Sequence, residues 1–171
     1  MARHYLGVVL LFIAVAVAPG VLDLGRSPAA AVEAEPPDVP PEALEALRQG
    51  RYWRASRILR GYLATAPDPR PETILLAAQA EAGWGAWARV DSLLSGRDWL
   101  DRVSGGYGWN LLGRSQLALE RWVPGSAALA RYLDVAQDAG ERERGMAEAR
   151  RASALQRAGD AAGAAAAYDR A

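Results

Sequence analysis

From residue 41 to the end of the chain, apolar residues recur with the three-to-four-residue spacing of amphipathic helices. No stretch in this region alternates apolar and polar residues as a surface strand would. Glycine, proline and aspartate interrupt the helical pattern at short intervals. The interruptions fall at 50, 66–69, 83–85, 104–108, 124–125, 138–140 and 159. We therefore predict about eight helices joined by short loops, which place consecutive helices antiparallel.

The third pair of predicted helices carries a regular spacing of large and small residues. Its members are Trp109, Leu112, Gly113, Trp122, Leu129 and Tyr132. This spacing resembles the tetratricopeptide (TPR) repeat, a helix hairpin of about 34 residues with the pattern Trp-x2-Leu-Gly-x2-Tyr in its first helix. Gln116 stands where the repeat has tyrosine, and Gly125 stands where the second helix has a small alanine. The resemblance implies that neighbouring hairpins stack, because a single hairpin cannot bury its apolar face alone.

Three further copies of this hairpin can be traced along the chain. Their turn and helix-crossing residues are predicted to be Gly50 and Ala55, Gly83 and Ala88, and Gly159 and Ala164. With Glu120 as the turn of the third copy, successive turns lie 33, 37 and 39 residues apart, and we place the extra residues in loops, chiefly at 96–108. The predicted fold is all-α, a right-handed superhelical stack of about four TPR-like hairpins over residues 42–171. Because the last helix leaves apolar residues uncovered, we expect the domain to continue beyond residue 171.

The beginning of the chain has the pattern of a secretory signal peptide. Residues 6–18 form an uncharged apolar run of thirteen residues, with Arg3 before it and Pro19 after it. This run is shorter than the roughly 20 residues that span a membrane, so we expect 1–31 to be a cleaved signal, with an uncleaved anchor as the alternative. Residues 32–41 are rich in proline and predict a stiff linker. The helical domain is thus expected in the periplasm, or anchored to the inner membrane and facing the periplasm, with membrane contact only through the N-terminal segment.

The composition argues against several kinds of catalytic and ligand-binding site. Cysteine and lysine are absent, and the only histidine is His4, inside the predicted signal. Nucleophilic triads and zinc sites need histidine or cysteine, and a phosphate-binding P-loop needs lysine, so we expect no catalytic residue, no metal and no cofactor. Twenty arginines balance twenty acidic residues, for a net charge of zero. This balance speaks against a nucleic-acid partner.

The TPR resemblance also implies where a partner binds. In a TPR stack the first helix of each hairpin lines a concave groove. By register with the third copy, the residues expected there are Glu81, Tyr107, Asn110, Arg114, Ser153, Gln156 and Arg157. This mixture of hydrogen-bonding groups with one aromatic suits a peptide backbone or glycan hydroxyls. We therefore expect a scaffold that binds an envelope protein or peptidoglycan through its concave face.

Two other groups of residues allow both a structural and a functional interpretation. Arg51, Arg54, Arg57 and Arg60 recur every third residue on one predicted helix, either as a solvated face or as a surface for anionic partners. Trp84, Trp87 and Trp99 belong to the second, degenerate copy. They either pack in the core or remain exposed and stack on a sugar or a peptide.

The chain also resembles the N-terminal superhelical region of soluble lytic transglycosylases. The resemblance lies in the export signal, the all-helical pattern and the richness in alanine, arginine and tryptophan. Those enzymes cleave peptidoglycan with a glutamate of a separate lysozyme-like domain, within a Glu-Ser motif. This chain contains no Glu-Ser dipeptide, so the resemblance assigns no catalytic residue here. The alternative interpretation is therefore that the chain is the non-catalytic N-terminal region of such an enzyme, which acts on peptidoglycan.

Overall fold

A computed structural model describes residues 39–171 of the chain. Its helices are α1 (Pro41–Arg48), α2 (Tyr52–Thr65), α3 (Pro71–Gly83), α4 (Trp87–Leu94), α5 (Tyr107–Ala118), α6 (Trp122–Val135), α7 (Glu141–Arg157) and α8 (Ala161–Tyr168), with a short 3-10 helix at Ser104–Gly106. The described part contains no strand, so the all-α prediction is confirmed for it. The predicted signal peptide at 1–31 and residues 32–38 of the predicted linker lie outside the described residues. None of the helices at 39–171 combines the length and apolarity needed to cross a membrane.

The eight helices pack in chain order. Each helix contacts the next one along the chain, and α5 additionally contacts both α3 and α7. The helices therefore form four hairpins, α1–α2, α3–α4, α5–α6 and α7–α8, and the first helices of the last three hairpins lie side by side. This arrangement confirms the predicted stack of helix hairpins, in which each hairpin covers the apolar face of its neighbour.

All four hairpins turn in the same way. The turn residues Gly50, Gly85, Glu120 and Gly159 have φ values of 67°, 87°, 59° and 88°. In each turn the following N–H donates to the carbonyl five residues earlier, as in Arg51 to Ala46 at 2.8 Å and Ala86 to Glu81 at 2.9 Å. This bond satisfies a carbonyl at the end of the first helix. The turns lie 35, 35 and 39 residues apart, so the prediction of Gly83 as the second turn was wrong by two residues.

A small residue generally stands where the two helices of a hairpin cross. The fourth residue of each second helix is buried, and these residues are Ala55, Val90, Gly125 and Ala164. The predicted crossing residue of the second copy, Ala88, is exposed, because the register of that copy shifts with its turn. At Gly125 the helices approach so closely that an added Cβ would overlap the side chain of Leu117 and lie 3.3 Å from the carbonyl oxygen of Gly113.

In the second hairpin, the segment at 95–106 follows the short helix α4, where the other hairpins α1–α2 and α5–α6 have the second half of a longer helix. Helix α4 has 8 residues, whereas α2 and α6 each have 14. The segment folds back over the core and buries Trp99 and Leu100 against Leu111 and its neighbours. It does not lengthen the repeat, contrary to the prediction of an insertion at 96–108. The extra residues instead fall between Glu120 and Gly159, where α7 extends to 17 residues.

Candidate ligand-binding surface

Three residues of the predicted groove lie on successive turns of α5. Tyr107 and Arg114 are half-buried, and Asn110 is only 4% exposed. The Tyr132 hydroxyl of α6 lies near the buried Asn110 and donates to Glu143 Oε1 of α7 at 2.6 Å. This hydrogen bond ties α6 to α7 near the surface that carries Tyr107 and Arg114.

A second arginine joins this surface from the neighbouring hairpin. Arg150 of α7 is half-buried, and its pKa lies below the usual arginine value, first because of burial and then because of the positive charge of Arg114. Burial likewise raises the pKa of Tyr107, whereas Arg114 acts in the opposite direction. The three residues lie on the packed helices α5 and α7, within electrostatic reach of one another, and we call them the α5–α7 surface. The sequence analysis did not identify Arg150.

The arginines of the α5–α7 surface form no direct ion pair within the described residues. Within residues 39–171, neither Arg114 nor Arg150 forms an ion pair with a carboxylate. Glu143 lies within electrostatic reach of both Tyr107 and Arg150, and its negative charge acts on Arg150 while its Oε1 accepts the hydroxyl of Tyr132. Arg114 instead contacts an aromatic ring, with its guanidinium carbon 5.2 Å from the ring centroid of Trp87. The surface therefore carries two half-buried arginines without a direct ion pair in the described part of the chain, with the Glu143 carboxylate nearby.

An aromatic residue begins the second helix in each of the first three hairpins. Tyr52, Trp87 and Trp122 are spaced by 35 residues, and each faces the first helix of the following hairpin. The Tyr52 ring occupies the space that a Cβ on Gly83 would fill. Arg114 lies over Trp87 as described, and Arg157 lies over Trp122 at 4.9 Å. This periodic pattern was visible in the sequence, but the misplaced second turn concealed it.

The other predicted groove residues lie in different surroundings. Ser153 is half-buried, while Gln156 and Arg157 at the end of α7 are exposed, with Arg157 against Trp122 rather than against Arg114. Glu81 is 1% exposed and belongs to the interior. The predicted set is therefore divided, and only Tyr107 and Arg114 lie within electrostatic reach of Arg150.

Glu81 forms a buried ion pair between α2 and α3. Arg60 donates to both of its carboxylate oxygens, at 2.6 and 2.7 Å. Ser56 Oγ and Trp84 Nε1 donate to the same carboxylate at 3.0 and 3.2 Å. Burial alone raises the pKa of Glu81, but these hydrogen bonds and the Arg60 charge outweigh burial and leave the pKa below its ordinary value. Arg60, one of the four periodic arginines, therefore has a structural role.

The tryptophans of the second copy separate into core and surface residues. Trp99 is buried and Trp87 is half-buried, whereas Trp84 remains 43% exposed at the end of α3. Trp53 of the first hairpin is 56% exposed and contacts Arg57, whose guanidinium carbon lies 4.9 Å from the ring centroid. The two exposed rings flank a shallow depression of about 460 Å³, together with Tyr52 and the solvated part of α2.

No protein-family model matches this chain, and no curated protein matches it significantly. What the protein binds must therefore be inferred from its own side chains.

Proposed function

We propose that this protein is a non-catalytic, TPR-like scaffold of the periplasm or cell envelope that binds a protein or polymer along its first helices. The observation that carries the proposal is the α5–α7 surface, where two packed hairpins carry the half-buried Tyr107, Arg114 and Arg150 and neither arginine forms a direct ion pair with another residue of 39–171. The export signal at 6–18 supports the location, because its apolar run is preceded by arginine and followed by proline.

A stack of hairpins suits this role for a physical reason. Each first helix contributes side chains at nearly constant intervals, so an extended ligand contacts several hairpins at once. The contacts at each hairpin are individually weak, and their sum gives a stable complex. The hydrogen bond from Tyr132 to Glu143, together with the packing of α5 against α6 and α7, holds the three helices in place, so little conformational freedom is lost on binding.

Site-specific photo-crosslinking in the native cells tests the proposal. A benzoyl-phenylalanine introduced in place of Tyr107 should form adducts with an envelope component after irradiation. The same group in place of Arg89, which is exposed on α4, serves as the control and should form none. Recovery of the protein in the cytoplasmic fraction, or identical adducts from both positions, would contradict the proposal.

A further inference from the structure

Trp84 is an exposed tryptophan whose ring is held in position by buried polar groups. Its indole Nε1 donates to Glu81 Oε2 at 3.2 Å, and Glu81 is only 1% exposed. The guanidinium carbon of Arg60 lies 5.6 Å from the ring centroid, and Arg60 itself donates to both oxygens of the Glu81 carboxylate. Because the orientation of the ring is fixed in the free protein, little conformational entropy is lost when a ligand stacks on it.

Trp84 and Trp53 border the shallow depression of about 460 Å³ between the first two hairpins. The ring of Tyr52 packs into the space above Gly83 and forms part of its floor. Trp53 is more than half exposed, and the guanidinium of Arg57 lies over its ring. The volume lies within the range of about 300–1,000 Å³ that is typical of ligand sites, and two large aromatic surfaces are accessible from it.

The charged residues that line the depression are arginines. Arg51 and Arg54 are exposed, and neither forms an ion pair with a carboxylate of residues 39–171. On their other side the two arginines border Glu42 and Glu45 of α1, and Glu45 pairs with Arg48. The depression itself has no carboxylate among the described residues that line it. The donors of both arginines are therefore available to the oxygen atoms of a ligand.

We propose that this depression binds an acidic polysaccharide, with sugar rings stacked on Trp53 and Trp84 and sugar carboxylates bound by Arg51 and Arg54. The C–H groups on one face of a pyranose ring pack against the electron-rich face of an indole. The oxygen atoms around the ring accept hydrogen bonds, and a carboxylate matches the forked donors of arginine. The depression lies apart from the α5–α7 surface, so this inference goes beyond the partner proposed for that surface.

A polysaccharide fits the depression better than a polypeptide does. A bound polypeptide typically adds to an exposed strand edge or places apolar side chains in a hydrophobic groove. The described residues contain no strand, and the depression is shallow, with the Tyr52 ring and glycine backbone at its floor. A single-stranded nucleic acid also stacks on aromatic rings, but the proteins that bind it carry an excess of positive charge, and this chain has none.

The test is fluorescence anisotropy with the full chain and four labelled probes. The chain is kept in a zwitterionic detergent, because the head group of a glycoside detergent would compete for the depression. Octagalacturonate offers sugar rings with carboxylates, and its carboxyl-reduced form offers the rings alone. An octaglutamate peptide offers carboxylates without sugar rings, and a single-stranded oligonucleotide offers bases and phosphates. We expect octagalacturonate to bind more tightly than each of the other three.

Matched variants locate the binding. We expect the affinity for octagalacturonate to fall about tenfold in Trp53→Leu and in Trp84→Leu, because each removes a stacking surface. The control Tyr168→Leu removes a ring of α8 that is 49% exposed, and it should have no effect. Trp84→Leu also removes a hydrogen bond to Glu81, so Trp53→Leu decides the result if the melting curve of Trp84→Leu is lowered. Equal losses in Trp53→Leu and Tyr168→Leu would overturn the proposed site.

The arginines are tested in the same way. We expect Arg51→Gln and Arg54→Gln each to weaken octagalacturonate binding about fivefold and to leave the weaker binding of the carboxyl-reduced probe unchanged. Arg89→Gln, on the exposed surface of α4, is the control. Equal affinity for the two sugar probes would overturn the acidic ligand. Binding of octaglutamate or of the oligonucleotide as tight as that of octagalacturonate, or absence of octagalacturonate binding, would overturn the polysaccharide.

Discussion

Replacing Arg60 with methionine tests the buried ion pair that joins the first two hairpins. Methionine keeps most of the aliphatic stem but removes both hydrogen bonds to Glu81, whose side chain is 2% exposed. Removing one partner of a buried pair typically costs about 3–5 kcal/mol. Arg60 is itself 40% exposed and Ser56 and Trp84 still donate to the carboxylate, so solvent screening and these donors reduce the expected loss to about 2 kcal/mol.

The loss should depend on pH with a defined sign. In the native protein the pKa of Glu81 is lowered, so the pair contributes stability above the unfolded-state pKa of about 4.3, and this contribution disappears as the pH falls through the folded-state pKa. In Arg60→Met the burial of Glu81 is no longer offset by arginine, so its pKa rises above the ordinary value. The stability of the variant therefore comes closest to that of the native protein in acid. The difference from the native protein should be largest at pH 7 and should shrink below about pH 4.

Urea unfolding followed by circular dichroism at pH 7 and at pH 3.5 measures this difference. Arg48→Met is the control, because Arg48 pairs with Glu45 at the surface and its side chain is 73% exposed. We expect the control to lose at most about 0.5 kcal/mol. A loss in Arg60→Met that is no larger than in the control, or that is equal at both pH values, would refute this account of Glu81.

Three further substitutions test the repeat itself, each by thermal or urea unfolding. Gly61→Ala in α2 places a Cβ where no atom lies within 4 Å and should stabilise by about 0.5–1 kcal/mol; a lower melting temperature would contradict it. Glu120→Gly relieves the left-handed backbone of the third turn and should stabilise by up to about 1 kcal/mol, whereas a loss would show that Glu120 makes unrecognised contacts. Gly125→Val forces α5 and α6 apart and should cost about 2–3 kcal/mol, and an unchanged urea midpoint would argue against the close crossing.

The number of helices and their stacking were predictable because strong local signals mark the ends of helices. Proline begins α1 and α3, and glycine follows the first helix at Gly50 and Gly159. These residues act through their own backbone preferences, so they need no information from the rest of the fold. The third turn has glutamate in the same conformation, and it was found only because its neighbours Trp109 to Tyr132 fit the repeat.

The second copy shows where such local reasoning fails. Gly83 and Gly85 flank Trp84, and either glycine can form a turn as far as its own preferences are concerned. Gly85 is the turn residue because the N–H of Ala86 after it donates to the carbonyl of Glu81, in the hydrogen bond that all four hairpins share. Choosing Gly83 moved the register by two residues, and this error placed Glu81 in the groove instead of the interior. The position of the second turn thus depends on a hydrogen bond to a carbonyl five residues earlier, and the glycines alone do not determine it.

The absence of Arg150 from the prediction has a different cause. Sequence comparison pairs Arg114 with Ser153, because both lie 6 residues before the turns at Glu120 and Gly159. Neighbouring helices, however, bring together residues according to their crossing and to the lean of side chains toward the helix N-terminus, not according to equivalent repeat positions. Arg150 lies three residues, nearly one turn, before Ser153, and it is this residue that comes within electrostatic reach of Arg114. Predicting a binding surface between hairpins therefore requires the packing offset as well as the repeat, and the repeat alone does not identify Arg150.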